Sequence, residues 1–278
     1  AAFTANGTNL GLNSGILLAT GRADIAIGPN NSGNAGMTML TPGDPSLTAL
    51  AGTTTFDAAI LEFDFIPQND TVSFRYVFAS EEYPEYVCST FNDVFAFYIT
   101  GPGIAGTQNM ALIPGTNSAV AINSVNSGVI GLWGVPGPGC GLGFANYYVN
   151  NIPGPTIQFD GFTTVLTARS SVIPCQTYHL RLAIADAGDG GWDSGVFLEE
   201  GSLSTMPVVD AGPDLTLCAG QTVNLGADPI AGWTYLWSPT TGLSNPAISN
   251  PTLTLNPSGS LPLNVTYTVT ATKGSCIL

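Results

Sequence analysis

The chain has 278 residues, of which 44% are hydrophobic and only 9% are charged. Nineteen acidic residues against five basic ones give a formal net charge of −14, so the surface is expected to repel nucleic acid and anionic membranes. Because no continuous apolar run reaches roughly 18 residues, we expect no membrane insertion. The 34 glycines and 20 prolines indicate a turn-rich β-protein with an uncharged polar surface.

The first clear element in chain order is a short helix. Asp44 is a typical N-cap, Pro45 suits the first helical position, and Gly52 is a typical stop signal. Elsewhere apolar and polar residues alternate, which predicts β-strands in the segments 61–65, 72–78, 93–99, 162–166 and 178–184. The Gly, Pro and Asn turns between them favour a jelly-roll-like antiparallel β-sandwich.

Residues 101–158 lack such periodicity and form a long irregular stretch. A loop of this length is either functional or pinned. A disulfide between Cys140, in its Gly/Pro-rich part, and Cys88 would pin it. The five cysteines show no metal-binding spacing, so disulfides in an oxidising compartment fit better.

The character of the chain changes near Met206, which divides it into a first domain, residues 1–205, and a second, residues 206–278. Short apolar stretches in the second domain predict a small immunoglobulin-like β-sandwich. Cys218 and Cys276 lie near its two ends, so we predict a disulfide between them. Cys175 is then expected to stay free.

Several segments resemble the choice-of-anchor L domain of surface and secreted proteins of Bacteroidota. Residues 78–95 contain Phe-Ala-Ser-Glu-Glu-Tyr-Pro-Glu-Tyr, and residues 183–199 contain Asp-Ala-Gly-Asp followed by Trp-Asp-Ser-Gly. Residues 207–278 resemble the PKD/Ig-like modules that link such domains. The resemblance implies export, by the type IX secretion route, and a place at the cell surface or outside the cell.

Acidic residues are dense in these same segments, and no Lys or Arg lies between Arg75 and Arg169. Carboxylates without basic partners must be solvated, protonated or bridged by a cation. The pattern Asp-x-x-Asp-Gly-Gly-x-Asp supplies the flexible oxygen ligands that Ca²⁺ prefers. We predict a Ca²⁺ site with the ligands Glu81, Glu82, Asp93, Asp186, Asp189 and Asp193. The alternative is two acidic loops that face water.

No catalytic signature is present, so we expect the protein not to be an enzyme. His179 is the only histidine, it lies in a strand, and no Gly-x-Ser-x-Gly motif accompanies it. Paired carboxylates occur in glycosidases, but beyond a few aromatic residues the sequence indicates no sugar cleft.

These observations predict an extracellular structural or adhesive surface protein, a Ca²⁺-stabilised building block of a filament, stalk or matrix. Its expected partners are other copies of itself or other surface proteins, and a neighbouring copy could supply a strand to a sheet edge. The alternative is a Ca²⁺-dependent, lectin-like module in which Trp192 contacts a glycan.

Overall fold

The computed structural model describes residues 1–203, 209–256, 263–274 and 276–277. The chain forms two compact units, Ala1–Thr205 and Met206–Leu278, and their bounds coincide with those of the two expected domains. Both units consist of antiparallel sheets, which confirms the prediction of an all-β protein. No helix among the described residues is long and apolar enough to cross a membrane.

The strands of the first unit are β1 (Ala2–Thr4), β2 (Ser14–Ala19), β3 (Thr55–Phe65), β4 (Thr71–Ser80), β5 (Val94–Thr100), β6 (Gln108–Asn109), β7 (Tyr148–Asn150), β8 (Gly161–Thr163), β9 (Leu166–Ser171), β10 (Tyr178–Ala187) and β11 (Ser194–Glu199). One α-helix, α1 (Pro45–Ala51), and two 3-10 helices, Ala23–Ala26 and Ala145–Tyr147, lie between them. The helix begins and ends as predicted, because the Asp44 side chain accepts from two backbone amides and Gly52 adopts a φ of 72°.

The first unit is a sandwich of two antiparallel sheets. One sheet has the order β1-β2-β11-β4-β8-β7, with β9 also paired to β4, and the other has the order β3-β10-β5-β6. Between them, Phe78 of β4 stacks on Phe95 of β5 at 4.8 Å, and Tyr76 meets Phe97 edge-on at 4.9 Å. The alternating apolar residues of β4 and β5 therefore face the core, as predicted.

The outer faces of both sheets are also covered near the ends of β4 and β10. Leu47 of α1 packs on alanines of β5 and β10, while Val77 and Ala79 of β4 pack into a second apolar cluster with Phe159. Burial on both faces removes water from the region where these strands end. Polar side chains placed there are consequently buried.

The irregular stretch 101–158 is tied to the sandwich in two ways. Its apolar residues enter the main core; they are Met110, Ala111, Ile113, Val120, Ile122 and Val125. The structure also joins Cys88 to Cys140, the pair that the sequence predicts. The stretch is thus pinned rather than loose.

Two of the cysteine predictions are wrong. Cys218 is free and lies on an exposed loop, so the predicted Cys218–Cys276 disulfide does not form. Cys175, which was expected to stay free, is disulfide-bonded. Both errors have one cause: cysteine positions in a sequence do not fix the connectivity.

The second unit contains β12 (Thr222–Asn224), β13 (Thr234–Ser238), β14 (Thr252–Thr254), β15 (Thr268–Lys273) and β16 (Cys276–Ile277). Strand β12 pairs with β14, and the order β13-β15-β16 forms a second antiparallel sheet. Leu225, Trp237 and Leu253 make the core of this unit, and the Trp237 indole N–H donates to the Ile248 carbonyl at 2.9 Å.

Candidate functional site

Strand pairing collects the acidic residues at one end of the sandwich. Ser80, the last residue of β4, pairs with Ser194, the first residue of β11. Ala185, near the end of β10, pairs with Val94, the first residue of β5. Residues that follow β4, precede β5 and β11, or end β10 therefore share this end.

Three carboxylates form what we call the inner acidic group: Glu82, Asp93 and Asp186, each at most 2% exposed. Asp93 accepts hydrogen bonds from the Ala187 N–H at 2.9 Å and from the Ser194 hydroxyl at 2.6 Å. Its own N–H donates to Glu82 Oε2 at 3.3 Å. Neither carboxylate oxygen of Asp186 has a hydrogen-bond partner.

The inner group is electrostatically unfavourable when all three members are ionised. Burial, and then the charge of Asp93, raise the pKa of Asp186 to about 10 and that of Glu82 well above its usual value. Burial raises the pKa of Asp93 to about 7, against the effect of its donors. Such carboxyls are either protonated or neutralised by a cation.

A second set, the outer acidic group, consists of Glu81, Asp160 and Asp193, and none of these residues is more than 1% exposed. Burial and then Asp160 raise the pKa of Glu81 to about 9. Burial is also the first cause that raises the pKa of Asp160 and that of Asp193, each to about 6. Glu81 Oε1 and Asp160 Oδ2 have no hydrogen-bond partner.

Residues 29–41, which we call the strap, form neither helix nor strand and cross this end of the sandwich. The N–H of Ala35 donates to Glu81 at 3.3 Å, and that of Met37 reaches Asp193 at 3.2 Å. Farther along, the N–H groups of Met39 and Thr41 donate to Asp57 at 2.8 and 2.6 Å. Every second backbone N–H from Ala35 to Thr41 thus donates to a carboxylate.

Asp57 reaches the strap because β3 contains a bulge opposite β10, between the pairs formed by Ile184 and Asp186. At this bulge Asp57 has a φ of 49°, and a bulge re-aims the side chain that it carries. Gly21 leaves room nearby, since a Cβ at this position would lie 1.8 Å from Asp193 Oδ2.

The structure splits the six residues that the sequence predicts as one Ca²⁺ site. Glu82, Asp93 and Asp186 lie in the inner group, and Glu81 and Asp193 in the outer group. Asp189 is only half-buried, and its Oδ1 accepts from the Gly191 N–H. Among the described residues, no three or more Asp, Glu, His or Cys side chains converge as a metal-binding group, so the Ca²⁺ site stays a prediction.

Sequence reasoning missed two buried carboxylates at this end, Asp57 and Asp160. Asp57 lies outside the predicted strand 61–65, so nothing marked it. A signal existed for Asp160, because it directly precedes β8, just as Asp93 and Asp193 directly precede β5 and β11. An acidic residue before a predicted buried strand was therefore the shared feature.

Aromatic residues lie beside the inner group. Trp192 and Tyr86 contact each other at 5.0 Å, and Phe91 meets Tyr86 edge-on at 5.6 Å. All three are half-buried, and Glu82 and Asp189 contribute, after burial, to the raised pKa of Tyr86. His179 lies elsewhere, on the outer face of β10, where its Nδ1 is 2.8 Å from Asp64.

A model of the choice-of-anchor L domain matches residues 1–204. Neither a curated protein nor a solved structure matches the chain significantly. The family match ends where the second unit begins, so the PKD/Ig-like character of that unit stays a prediction. The chain belongs to the choice-of-anchor L domain family and is a surface-associated extracellular protein.

Proposed function

We propose that the protein is a structural building block of a cell-surface filament, stalk or matrix, and that Ca²⁺ bound at the inner acidic group stabilises it. The observation that carries this proposal is Asp186, a buried carboxylate without a hydrogen-bond donor beside Asp93 and Glu82. An isolated buried charge is costly. A divalent cation would turn the mutual repulsion of these groups into attraction.

The chemistry of the donors favours Ca²⁺ over other metals. The inner group offers oxygen atoms alone, which suits Ca²⁺ and its six to eight oxygen ligands, whereas Zn²⁺ prefers His and Cys. Since three carboxylates do not converge as they stand, the turns 81–93 and 188–193 would have to close around the ion. Backbone carbonyls can complete such a site.

Thermal unfolding in the presence and absence of calcium tests the proposal. Saturating Ca²⁺ at about 100 times its Kd should raise the Tm by roughly 5–10 °C relative to EGTA, because only the folded chain offers the site. The Asp186→Asn variant should show a much smaller shift. An unchanged Tm between EGTA and millimolar Ca²⁺ would contradict Ca²⁺ stabilisation.

We further propose that copies of the protein associate through β3. This strand lies at the edge of its sheet, where the N–H groups of Asp57 and Ala58 already donate to the carbonyls of residues 41 and 42. The proposed pairing therefore uses residues 59–65, beside an apolar groove of about 580 Å³ that Phe63, Leu180 and Leu198 help to line. Two antiparallel β3 strands can pair symmetrically, so a second copy is a suitable partner. Only 9% of the residues are charged, so the close approach of two copies costs little desolvation of charged groups.

Light scattering at increasing concentration and electron microscopy of native cell surfaces test this association. Ile60 is exposed on β3, and Ile60→Lys places a charge at the edge that should weaken strand pairing. A parent protein that stays monomeric at high concentration, together with surfaces free of ordered assemblies, would exclude it.

A second candidate function is Ca²⁺-dependent glycan binding. The specific observation is the rim of Trp192, Tyr86 and Phe91 beside the inner acidic group, since aromatic faces and a cation are common parts of a sugar site. Binding on a glycan array that disappears with EGTA and with Trp192→Ala would favour this candidate. Binding that neither change affects would count against it.

Export by the type IX route is part of the proposal and rests on the resemblance of residues 78–95 and 183–199. Deleting the secretion machinery in the source cell and following the protein in the medium and on the surface would test it.

A further inference from the structure

The outer acidic group holds two carboxylate oxygens that the fold leaves without a donor. Asp160 is fully buried, and its Oδ1 accepts from the Asn30 side-chain amide at 2.6 Å, but its Oδ2 has no partner. Glu81 accepts at Oε2 from the strap at 3.3 Å, while its Oε1 has none. The two carboxylates repel each other, since Asp160 is, after burial, the largest cause of the raised pKa of Glu81.

Asp57 shows that the strap can satisfy a buried carboxylate completely. Its Oδ2 accepts from the Met39 N–H at 2.8 Å, and its Oδ1 accepts from the Thr41 N–H at 2.6 Å. Glu81 lies against the same strap, yet its Oε2 accepts only one long hydrogen bond and its Oε1 accepts none. The strap therefore pairs both oxygens of Asp57 but leaves Glu81 Oε1 without a donor.

No basic side chain offsets these charges. The salt bridges found among the described residues engage other carboxylates, such as Asp44, which pairs with Arg181. Neutral side-chain oxygen atoms that could bind a cation are abundant instead, because the strap begins with the sequence Asn30-Asn31-Ser32-Gly33-Asn34. Carboxylate and amide oxygens together are the ligand set that Ca²⁺ accepts.

We propose that Glu81 and Asp160 form a second Ca²⁺ site, separate from the inner acidic group, with Asn30 as a neutral ligand, and that the ion fastens the strap across the ends of β4 and β8. Asn30 becomes a ligand by rotating its amide by 180°, which exchanges the positions of its oxygen and nitrogen. Gly33 borders the site, since a Cβ there would lie 3.6 Å from Asp160 Oδ2.

Tyr148 supplies a local reporter for this site. Its ring lies beside the residue that follows Asp160, since a Cβ at Gly161 would lie 2.8 Å from Tyr148 Cε2, and Asp160 is, after burial, the largest cause of the raised pKa of Tyr148. Tb³⁺ substitutes for Ca²⁺ at oxygen sites, and a tyrosine close to a bound Tb³⁺ transfers excitation energy to it. Luminescence excited through tyrosine therefore reports on the outer group, and Tyr148→Phe tests which tyrosine is responsible.

The experiment measures stoichiometry and Tb³⁺ luminescence on the full chain. Calorimetric titration of the metal-free parent with Ca²⁺ should give two sites. Asp160→Asn and Glu81→Gln should each remove the outer site and the luminescence sensitised by Tyr148, whereas Asp186→Asn should remove the inner site and leave the outer site with its luminescence. The control Asp70→Asn removes one charge just before β4, about 35 Å along the strand from Glu81, and should bind as the parent does.

The outcomes separate this inference from the proposed function. Unchanged stoichiometry and luminescence in both Asp160→Asn and Glu81→Gln would overturn the second site, whatever Asp186→Asn does. If Asp186→Asn loses Ca²⁺ binding while Asp160→Asn and Glu81→Gln bind as the parent does, the inner site is the one that binds Ca²⁺ and the second site is excluded.

Asn30→Ala covers the case in which the buried variants fail to fold, because Asn30 is half-buried and uncharged, although Asp160 Oδ1 loses its hydrogen-bond donor in this variant. This variant should bind Ca²⁺ at the outer site at least about tenfold more weakly. Affinity equal to that of the parent would remove Asn30 from the site and overturn the proposal as stated.

Discussion

Glu81 and Glu82 are adjacent in the chain, yet their carboxylates enter two different buried acidic groups. They directly follow β4, and successive side chains at a strand end point to opposite faces. Glu81 consequently meets Asp160, and Glu82 meets Asp93. One dense acidic motif thus contributes to two buried acidic groups.

The pH dependence of stability follows from the raised pKa values. In the folded protein the pKa is about 6 for Asp160 and Asp193, about 7 for Asp93, about 9 for Glu81 and about 10 for Asp186, against roughly 4 in an unfolded chain. The folded state therefore binds more protons, and its stability must fall as the pH rises.

We expect urea unfolding in EGTA to give a lower free energy of unfolding at about pH 9 than at about pH 5. The loss should run through the whole interval, because the pKa values are spread across it. Asp186→Asn should make the fall less steep throughout this interval, since the variant removes a carboxyl that stays protonated in the folded state up to about pH 10. Stability that increases from pH 5 to pH 9 would contradict the prediction.

Asp57 provides a test of the strap. Asp57→Asn keeps a side chain that tolerates the positive φ, but its amide nitrogen must face one backbone N–H, so one hydrogen bond is lost. We expect the free energy of unfolding to fall by about 1–3 kcal/mol and hydrogen exchange to quicken at Met39 and Thr41. Slow exchange at both amides in the variant would mean that Asp57 does not hold the strap.

Much of the fold could be predicted because local patterns decide it. The alternation in β4 and β10 and the cap at Asp44 depend on near neighbours, and both appear in the structure as expected. The prediction of one continuous strand over residues 162–166 is wrong, because the strand breaks between β8 and β9. Phe162 consequently packs in the second apolar cluster and Leu166 in the main core.

The candidate site was less predictable because it depends on distant parts of the chain. Asp160 is 79 residues from Glu81 in the sequence, and only the pairing of β4 with β8 brings them together. Asp57 joins this end through a bulge, and a bulge leaves no mark in an alternating pattern. The sequence therefore predicted which loops are acidic, but not how their carboxylates divide.

The disulfide between Cys88 and Cys140 should stabilise the first unit strongly. The two residues are 52 positions apart, and closing a loop of this size contributes about 4 kcal/mol in the chain-entropy model. We expect the double variant Cys88→Ser/Cys140→Ser to lose about this much in urea unfolding. Cys218→Ser is the control, because Cys218 is free and exposed; equal losses in both variants would contradict the assignment.

Gly21 tests how tightly Asp193 is enclosed. A Cβ at Gly21 would lie 1.8 Å from Asp193 Oδ2, too close for any real contact, so Gly21→Ala must displace either the carboxylate or the strand end beside it. We expect a loss of about 1–3 kcal/mol in the free energy of unfolding, as for other overpacked sites. Gly143→Ala is the matched control, since a Cβ there meets nothing within 4 Å. If Gly21→Ala is as stable as Gly143→Ala in urea unfolding, Asp193 is not held where the structure places it.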